Sequence, residues 1–544
     1  MNTKTIISRV ASNWKAGLTV ALVSIPMSVS LAVASGTTPT VGIITAVWAG
    51  LIASILGGSH FNIVGPAGAL SGILAGFSLM HGAELLPMLA ILTGIIVLVS
   101  YALKLERYLA YVPASTVHGF TLGVGLVLAL GQLNTAFGLT GLTQHPEFIS
   151  NVFESLKHLG QLNMPTSIVF VVFLALMFIL LKLVKKVPPA IILTPIGILL
   201  GYMTSIGKLP FALVTLGDKF PTIKAALFVT PSFHISSELI VAAFTVAAVA
   251  IIETMLCGKV ADGITGTKYN RRKEMLALSI ANFGSGIAGG LPATAVLART
   301  SLNAKSGANH KTAQGLNSIF IVVISFLLLS YFKFIPMPVI AAILVFTAYR
   351  MIEQHHFTRM FKHDKVSFVI SLCVAFATVY WDPMIGILLG TAVSLLFFVE
   401  KLSKGQFELI ANDVSKQKMV DRIHGTELKK LPENCDTLVY SIKGQLAYIN
   451  AQAHIARFEN TTDGQHKNIV LRLRELYFID LDGVDAFDEL VEVIEKSGKK
   501  VFITGTNPLI EKSLKKSKVY ARLLGDNKVY GRTSEALAVL GFRP

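Results

Sequence analysis

Apolar segments follow one another with little between them over the first 400 residues, and this pattern restricts the possible folds more than any other feature. A helix needs about 20 residues to cross the hydrocarbon layer of a bilayer. The pattern predicts fourteen membrane spans, several of them shorter than that length. They lie near residues 16–34, 40–58, 62–80, 84–103, 112–134, 166–184, 188–206, 238–260, 274–290, 294–304, 315–333, 336–349, 366–381 and 384–400.

The composition argues against a soluble enzyme or a nucleic-acid-binding protein. Only 15% of the residues are charged, whereas soluble domains carry about 25%. The net charge of +16 lies mostly in the apolar part, where it is typical of the loops of a membrane protein, so we expect no nucleic-acid partner. The cysteines Cys257, Cys373 and Cys435 are far apart, and we expect no metal, cofactor or disulfide framework.

The basic residues between the spans predict the orientation of the chain. With the N-terminus inside, the inner segments hold 20 lysines and arginines and the outer segments hold 5. Such an excess marks the cytosolic side of a membrane protein. The sequence therefore predicts a multi-pass protein of the inner (plasma) membrane with both termini in the cytosol. The apolar run after Lys15 continues beyond the length of a signal peptide, so we expect no cleaved leader.

Charges become dense after Lys404, and the apolar runs shorten. Segments such as DTLVYSIKG and VFITGT are typical of buried strands, and they alternate with segments of helical period. The sequence predicts a transmembrane transport domain over 1–404, a linker with the start of a cytosolic domain over 405–434, and a small cytosolic α/β domain over 435–544.

Glu253 is the clearest ionisable residue inside a predicted span. Charged side chains within a membrane are costly, and those that persist mark functional sites by default. We expect Glu253 to have a functional role. The alternative is a hydrogen bond to another helix that only stabilises packing.

Two short apolar segments are each interrupted by a proline among small residues. They are NIVGPAGALSGILAG (62–76) and GGLPATAVLARTSLNAKSG (289–307), the third and tenth predicted spans. A pair of broken helices at matching places in two halves of seven spans indicates an inverted repeat and a binding site at mid-membrane. Half-helices that start there point free N–H groups and positive dipole ends at an anion.

The residues at these two breaks form the predicted binding site. Gly65, Pro66, Ala67 and Gly68 would let one backbone approach the ligand, and the other half-helix would start near Ala295 to Leu297. Arg299 follows within the first turns and would add positive charge. The alternative role for Arg299 is a structural ion pair, for instance with Glu253.

Several motifs resemble the SulP family of anion transporters, the bacterial relatives of the human sulfate, chloride and bicarbonate carriers. They are LTVALVSIPMSVSLAVASG, VGPAGALSG, IETMLCGKVADGITGTKYNRRKEM and SIANFGSGIAGGLPATAVLARTSLNAKSGA, and the C-terminal domain is similar to STAS domains. The resemblance covers nearly the whole chain. It implies seven plus seven inverted spans, with a core domain (spans 1–4 and 8–11) that moves like an elevator against a gate domain (spans 5–7 and 12–14), and a homodimer.

The resemblance also implies which residues meet the substrate and the coupling ion. Glu253 is the implied coupling residue. The substrate-binding residues are Pro26, Met27, Gly65, Pro66, Ala67, Gly68, Ala69, Ala295, Val296, Leu297 and Arg299.

Three positions depart from patterns known in the family. Met27 stands where many members have a glutamine, and Cys257 and Leu297 stand where sodium-coupled members have threonines. Sodium prefers oxygen ligands, so we expect proton symport or anion exchange instead. The substrate would be sulfate, bicarbonate or a C4-dicarboxylate.

The STAS-like domain has Asp480 followed by Leu481, at the place where related regulators carry a phosphorylated serine. We expect no phosphoswitch there, and a role in dimerisation, folding or docking of a cytosolic protein. Alternatives to a carrier are an anion channel of the same fold, a membrane-anchored STAS signalling protein and a nucleobase carrier. An enzyme is disfavoured because no nucleophile–base pair, metal cluster or P-loop is seen in the sequence.

Overall fold

The computed structural model describes residues 3–145, 147–184, 188–221, 223–413, 418–425, 436–459 and 466–542. Lys185, Lys186 and Cys435, which entered the sequence predictions, lie outside these ranges. The chain separates into two compact units, Met1–Ala392 and Val393–Pro544.

The first unit is helical. Its helices and short strands, in chain order, are α1 (Thr3–Ala34), α2 (Pro39–Leu56), β1 (Val64–Gly65), α3 (Gly68–His81), α4 (Leu86–Ala102), α5 (Ala114–Leu130), α6 (Leu133–Phe137), α7 (Phe148–Lys157), α8 (Met164–Leu183), α9 (Pro189–Ser205), α10 (Leu216–Lys219), α11 (Ser237–Thr265), α12 (Arg271–Ile287), β2 (Thr294–Ala295), α13 (Leu297–Lys305), α14 (Thr312–Leu328), α15 (Met337–Met351), α16 (Gln354–His363), α17 (Lys365–Tyr380) and α18 (Pro383–Ser403).

Every predicted span coincides with one of these helices. Within the described ranges, nine helical stretches are long and apolar enough to cross a membrane, and α3, α9 and α17 are shorter apolar helices. The predicted polytopic helical fold is therefore confirmed. The count of fourteen crossings and the inverted repeat stay predictions.

The direction of the helices defines two faces of the first unit. We call the face on which α1 begins the near face and the opposite one the far face. The half-helix α3 ends on the far face, where its Ser78 lies beside Gly36 at the end of α1. The half-helix α13 ends on the near face, where Asn309 just beyond it accepts a hydrogen bond from Asn13 of α1 over 2.7 Å. The two half-helices therefore run in opposite directions from the middle of the unit.

Small residues let the helices of this unit approach closely. A Cβ at Gly94 of α4 would lie only 2.7 Å from the backbone nitrogen of Phe283 in α12. Membrane helices associate through such close packing because lipid tails offer no hydrophobic driving force between them. Lipid-facing surface is left on α18, whose most apolar 18-residue stretch is only 22% buried, whereas the corresponding stretch of α1 is 83% buried. The broken segments thus lie among interior helices such as α1.

The second unit is an α/β structure, as the sequence predicts. Its sheet has the strand order β4-β3-β5-β6-β8-β9, with β7 paired to β5. Strands β5, β6, β8 and β9 run parallel, while β3 pairs antiparallel with β4 and β5. The elements are β3 (Gln406–Asp413), β4 (Lys418–Gly425), β5 (Thr437–Leu446), α19 (Ala451–Glu459), β6 (Asn468–Arg472), β7 (Leu476–Ile479), α20 (Leu481–Lys496), β8 (Lys500–Thr504), α21 (Pro508–Leu514), α22 (Lys518–Gly525), β9 (Val529–Tyr530) and α23 (Thr533–Val539).

Asp480 caps the helix that the sequence analysis singled out in this unit. Its carboxylate accepts a hydrogen bond from the Gly483 amide, 2.7 Å away, at the start of α20. Leu481 is exposed beside it and carries no hydroxyl. Asp480 therefore has a structural role as a helix cap.

Candidate functional site

The two broken segments cross inside the first unit. Their strands β1 and β2 pair antiparallel, with Val64 opposite Ala295 and Gly65 opposite Thr294. The half-helix α3 starts three residues after β1, and α13 starts two residues after β2. The structure thus brings the predicted residues 65–69 and 295–299 together at one crossing.

Neither half-helix is closed by a side chain at its start. Ala67 and Val296 are the residues before α3 and α13, both have extended backbone, and neither makes a side-chain cap. Other helices of the unit do have such caps, for example Asn163 at α8 and Ser236 at α11. The first N–H groups of a helix have no partner within it and carry the positive end of its dipole. The two starts therefore offer backbone donors suited to an anion.

Arg299 is buried behind the crossing, with 1% of its surface exposed. Its guanidinium donates hydrogen bonds to the Pro66 carbonyl and, over 3.5 Å, to the Ser28 hydroxyl. Its Nε is buried without a hydrogen-bond partner. A Cβ on Gly65 would lie 3.2 Å from its Nη1, so this position has little room for a side chain. Arg299 thus ties the two broken segments together and keeps a full positive charge beside them.

Glu253 is buried on α11, and its Oε2 has no hydrogen-bond partner. The charges of Glu253 and Arg299 interact, but among the ion pairs of the described residues none joins the two within 4.0 Å. The structure thus lacks the direct ion pair that was the alternative role for Arg299. A buried carboxylate oxygen without a partner is costly, which makes Glu253 a candidate for binding a proton.

Hydroxyl and amide side chains hold the second break in place, and the sequence analysis missed them. Thr254 of α11 accepts a hydrogen bond from the Ala295 amide over 3.1 Å and lies 2.8 Å from the Thr294 hydroxyl. Asn282 of α12 binds both the amide and the carbonyl of Ala293, at 2.8 and 2.9 Å. Polar residues in apolar spans were the available signal, because membrane interiors leave no water to satisfy them.

Glu274 likewise holds the chain in place, here on the near-face side of the first break. Its carboxylate is buried and accepts hydrogen bonds from the amides of Gly58 and Ser59 and from the Asn62 side chain. These three bonds fix the chain that leads into β1. The sequence analysis placed Glu274 at the end of a span and gave it no role.

The predicted residues of α1 lie near the crossing less directly. Pro26 lies inside the continuous helix α1, and both Pro26 and Met27 are buried. Within the described contacts, it is the next residue, Ser28, that reaches Arg299. The role expected for Pro26 and Met27 stays a prediction.

A cavity of about 610 Å³ reaches the start of α3. Gly68 and Ala69 line its inner part, and residues at helix ends on the far face, such as His81 and Trp381, line its mouth. A second cavity of about 700 Å³ lies on the near-face side. Helix α11 borders both, with Thr245 on the first and Ile252 on the second. The first cavity thus reaches the crossing, whereas the lining of the second includes residues of α11 but none of the crossing itself.

Comparison with known proteins identifies the family to which this architecture belongs. Residues 11–374 match the sulfate permease family, and residues 429–536 match the STAS domain. The chain belongs to the sulfate permease family. Among its relatives are the putative sulfate transporter YvdB of Bacillus subtilis, 26% identical over 93% of this chain and 94% of that protein, and the bicarbonate transporter BicA of Picosynechococcus, 25% identical over 97% and 94%.

Two solved structures share this fold, one over nearly the whole chain and one over 70% of it. The murine Slc26a9 anion transporter in its inward-facing state superposes with a TM-score of 0.81 at 16% identity, covering 98% of this chain and 91% of that chain. The transmembrane domain of a cyanobacterial BicA gives a TM-score of 0.61 at 21% identity over 70% and 97%. At these identities the likeness shows the fold, that of a multi-pass membrane transporter with a C-terminal STAS domain.

Proposed function

We propose that this member of the sulfate permease family is a secondary active transporter of small anions. The observation that carries the proposal is the crossing of α3 and α13, where two uncapped helix starts and the buried Arg299 surround one place in the membrane. Such a site selects for negative charge and size. The names of the relatives YvdB and BicA support sulfate and bicarbonate as substrates, and a C4-dicarboxylate is the third candidate.

The two cavities support alternating access. One connects Gly68 to the far face, and the other lies between α5, α11 and α16 on the near face. In this proposal the helices that hold the crossing move as an elevator against the gate helices, and the crossing meets each cavity in turn. We further propose a homodimer in the inner (plasma) membrane with both termini in the cytosol, so that the near face is cytosolic. The STAS domain would then be free to dock a cytosolic protein.

Proton symport or anion exchange is the proposed coupling. Glu253 would carry the proton, because its Oε2 is buried without a hydrogen-bond partner and a bound proton removes the cost of an unpaired buried charge. Sodium coupling is disfavoured by Cys257, whose thiol donates to the Ala295 carbonyl over 3.4 Å, and by Leu297, which has no oxygen in its side chain. Sodium would find few of the oxygen ligands that it prefers.

A competition experiment in proteoliposomes tests the proposal. Uptake of radiolabelled sulfate is measured against sulfate, bicarbonate, chloride, nitrate, succinate and fumarate at two pH values, with and without a sodium gradient. We expect competition by one class of anions and stimulation by an inward proton gradient or by internal anion. Uptake that needs sodium and ignores pH would contradict the coupling, and currents far above carrier rates would favour a channel.

A further inference from the structure

Two histidines and a glutamate from α5 and the start of α16 meet on the wall of the near-face cavity. They are His118 near the start of α5, Glu353 just before α16, and His356 in its first turn. Their nearest ligand atoms all lie within 4.8 Å of one another. We propose that these three residues bind a divalent transition metal of the zinc class, and that the bound metal inhibits transport.

The distances suit coordination of one ion. Glu353 Oε2 lies 3.0 Å from His118 Nδ1 and 3.8 Å from His356 Nε2. Ligand atoms about 2.0–2.2 Å from a tetrahedral zinc are separated by roughly 3.3–3.6 Å, so the spacing is close to that required. The imidazole rings must turn out of their stack to aim both nitrogen lone pairs at one ion. Ligation through Nδ1 places the His118 proton on Nε2.

The local structure holds the three side chains together without a metal. The imidazole rings of His118 and His356 stack with centroids 4.4 Å apart and planes tilted by 20°. Glu353 and His356 are three residues apart at the start of a helix, the Glu-x-x-His spacing that projects two ligands to one side. Part of each side chain is buried, which limits competition from water.

The ligand types of the cluster favour a transition metal over magnesium or calcium. Lys259, Arg271 and Arg359 line the same cavity and oppose every divalent cation alike, and Glu353 is its only carboxylate among the described lining residues. Hard cations depend on several charged oxygen ligands, and the cluster offers only this one carboxylate. Imidazole suits zinc, nickel and copper. Three protein ligands leave a fourth position for water.

The expected effect on transport follows from the position of the site and rests on the proposed function. Residues of α11 from Ile252 to Val260 form the opposite wall of the cavity. A metal ion with its water takes up part of the space between α11 and the two helices that carry the ligands. Movement of α11 against α5 and α16 is then restricted, so transport slows.

Zinc titration of the purified full chain, carrying an affinity tag without histidines, tests the site directly. Calorimetry should show one tight zinc per chain, and cobalt should give the visible absorption of a four-coordinate ion. His118→Ala and His356→Ala should each weaken zinc binding at least about tenfold. The matched control is His355→Ala, the neighbouring exposed histidine, which should bind zinc as the wild type does.

Two outcomes would overturn the proposal. Equal zinc titrations for the wild type and the double variant His118→Ala/His356→Ala would remove the metal site. Zinc binding that leaves anion uptake in proteoliposomes unchanged, with zinc on the near-face side, would remove the inhibition. A chain that shows no uptake without zinc would contradict the proposed function instead, and the calorimetric result would stand apart from it.

Discussion

The two broken segments cross at one place, but they start their half-helices in different surroundings. At the start of α3, Gly68 and Ala69 border a cavity. At the start of α13, Ala295 is fully buried and Thr254 binds its amide. The first half-helix thus presents bare backbone to space, whereas the second is embedded in polar contacts with α11 and α12. We therefore expect the start of α3 to contact the anion, and α13 to supply a fixed positive charge behind it.

Arg299→Ala should have the largest effect, because it removes the charge that the α13 side contributes. We expect anion uptake to fall at least about 30-fold, since truncating a buried hydrogen-bonded charge costs about 2–5 kcal/mol. Uptake in proteoliposomes measures the effect, and size-exclusion chromatography checks folding. Lys305→Ala removes an exposed basic residue from the same helix and should leave uptake unchanged. Wild-type uptake by Arg299→Ala would end the site proposal.

Gly68→Val tests the α3 side. A Cβ there would lie 3.0 Å from Leu128 Cδ2 and 3.3 Å from Met351 Sδ, both ends of flexible side chains, so the protein should still fold. The added side chain should keep the anion away from the helix start and raise its KM about tenfold, or about 1.4 kcal/mol.

Gly76→Val is the matched control for that substitution. Gly76 lies on the same helix and lines the same cavity, away from the helix start, and a Cβ there meets nothing within 4 Å. Equal losses from both substitutions would show that the cavity is merely blocked, and that the start of α3 has no special part.

Glu253→Gln separates proton coupling from anion binding at the crossing. The amide cannot exchange a proton, so uptake should lose its dependence on a pH gradient while the KM for the anion changes less than about threefold. Uptake is measured with and without an imposed pH gradient. Glu238→Gln changes an exposed glutamate of the same helix and should keep the dependence. A changed KM with intact coupling would assign Glu253 to the anion instead.

Thr254→Val should have the smallest effect on uptake and a clear effect on stability. It leaves the Ala295 amide buried without its partner, which costs about 1–3 kcal/mol. The midpoint of thermal unfolding in detergent should fall, while the KM stays near that of the wild type. Thr265→Val removes a hydroxyl at the end of the same helix that contacts only the Ala261 carbonyl and the Thr267 hydroxyl among the described residues, and it is the control. A large change in KM with unchanged stability would place α13 in direct contact with the anion.

The sequence patterns were sufficient to predict the two helix breaks, but not the contacts that hold these breaks in place. Pro66 and Pro292 lie among small residues in apolar segments, and both features are local, so the half-helices could be predicted. The pairing of β1 with β2 involves only two residues of each strand and has no periodicity to detect. The contacts of Asn282 with Ala293 depend on how a loop folds back on its helix.

The lack of a local sequence signal also explains why other features were not predicted. The cluster at His118 joins residues more than 200 positions apart, which no local spacing reveals. In the second unit, the parallel strands β5, β6 and β8 are buried apolar runs and were predicted. Strands β3 and β4 lie in the segment predicted as a linker with the start of the cytosolic domain. They were not predicted as strands because their many polar residues hide the strand pattern.

The ladder between β1 and β2 has a consequence for how the protein is made. Val64 pairs with Ala295, a residue synthesised long after it. At about 5–20 residues per second, translation separates the two by roughly ten to fifty seconds. Throughout this interval the interrupted third segment sits in the bilayer with polar backbone that lipid cannot satisfy. The insertion machinery, or the first helices of the chain itself, must therefore shield this segment from lipid until the second half has been synthesised.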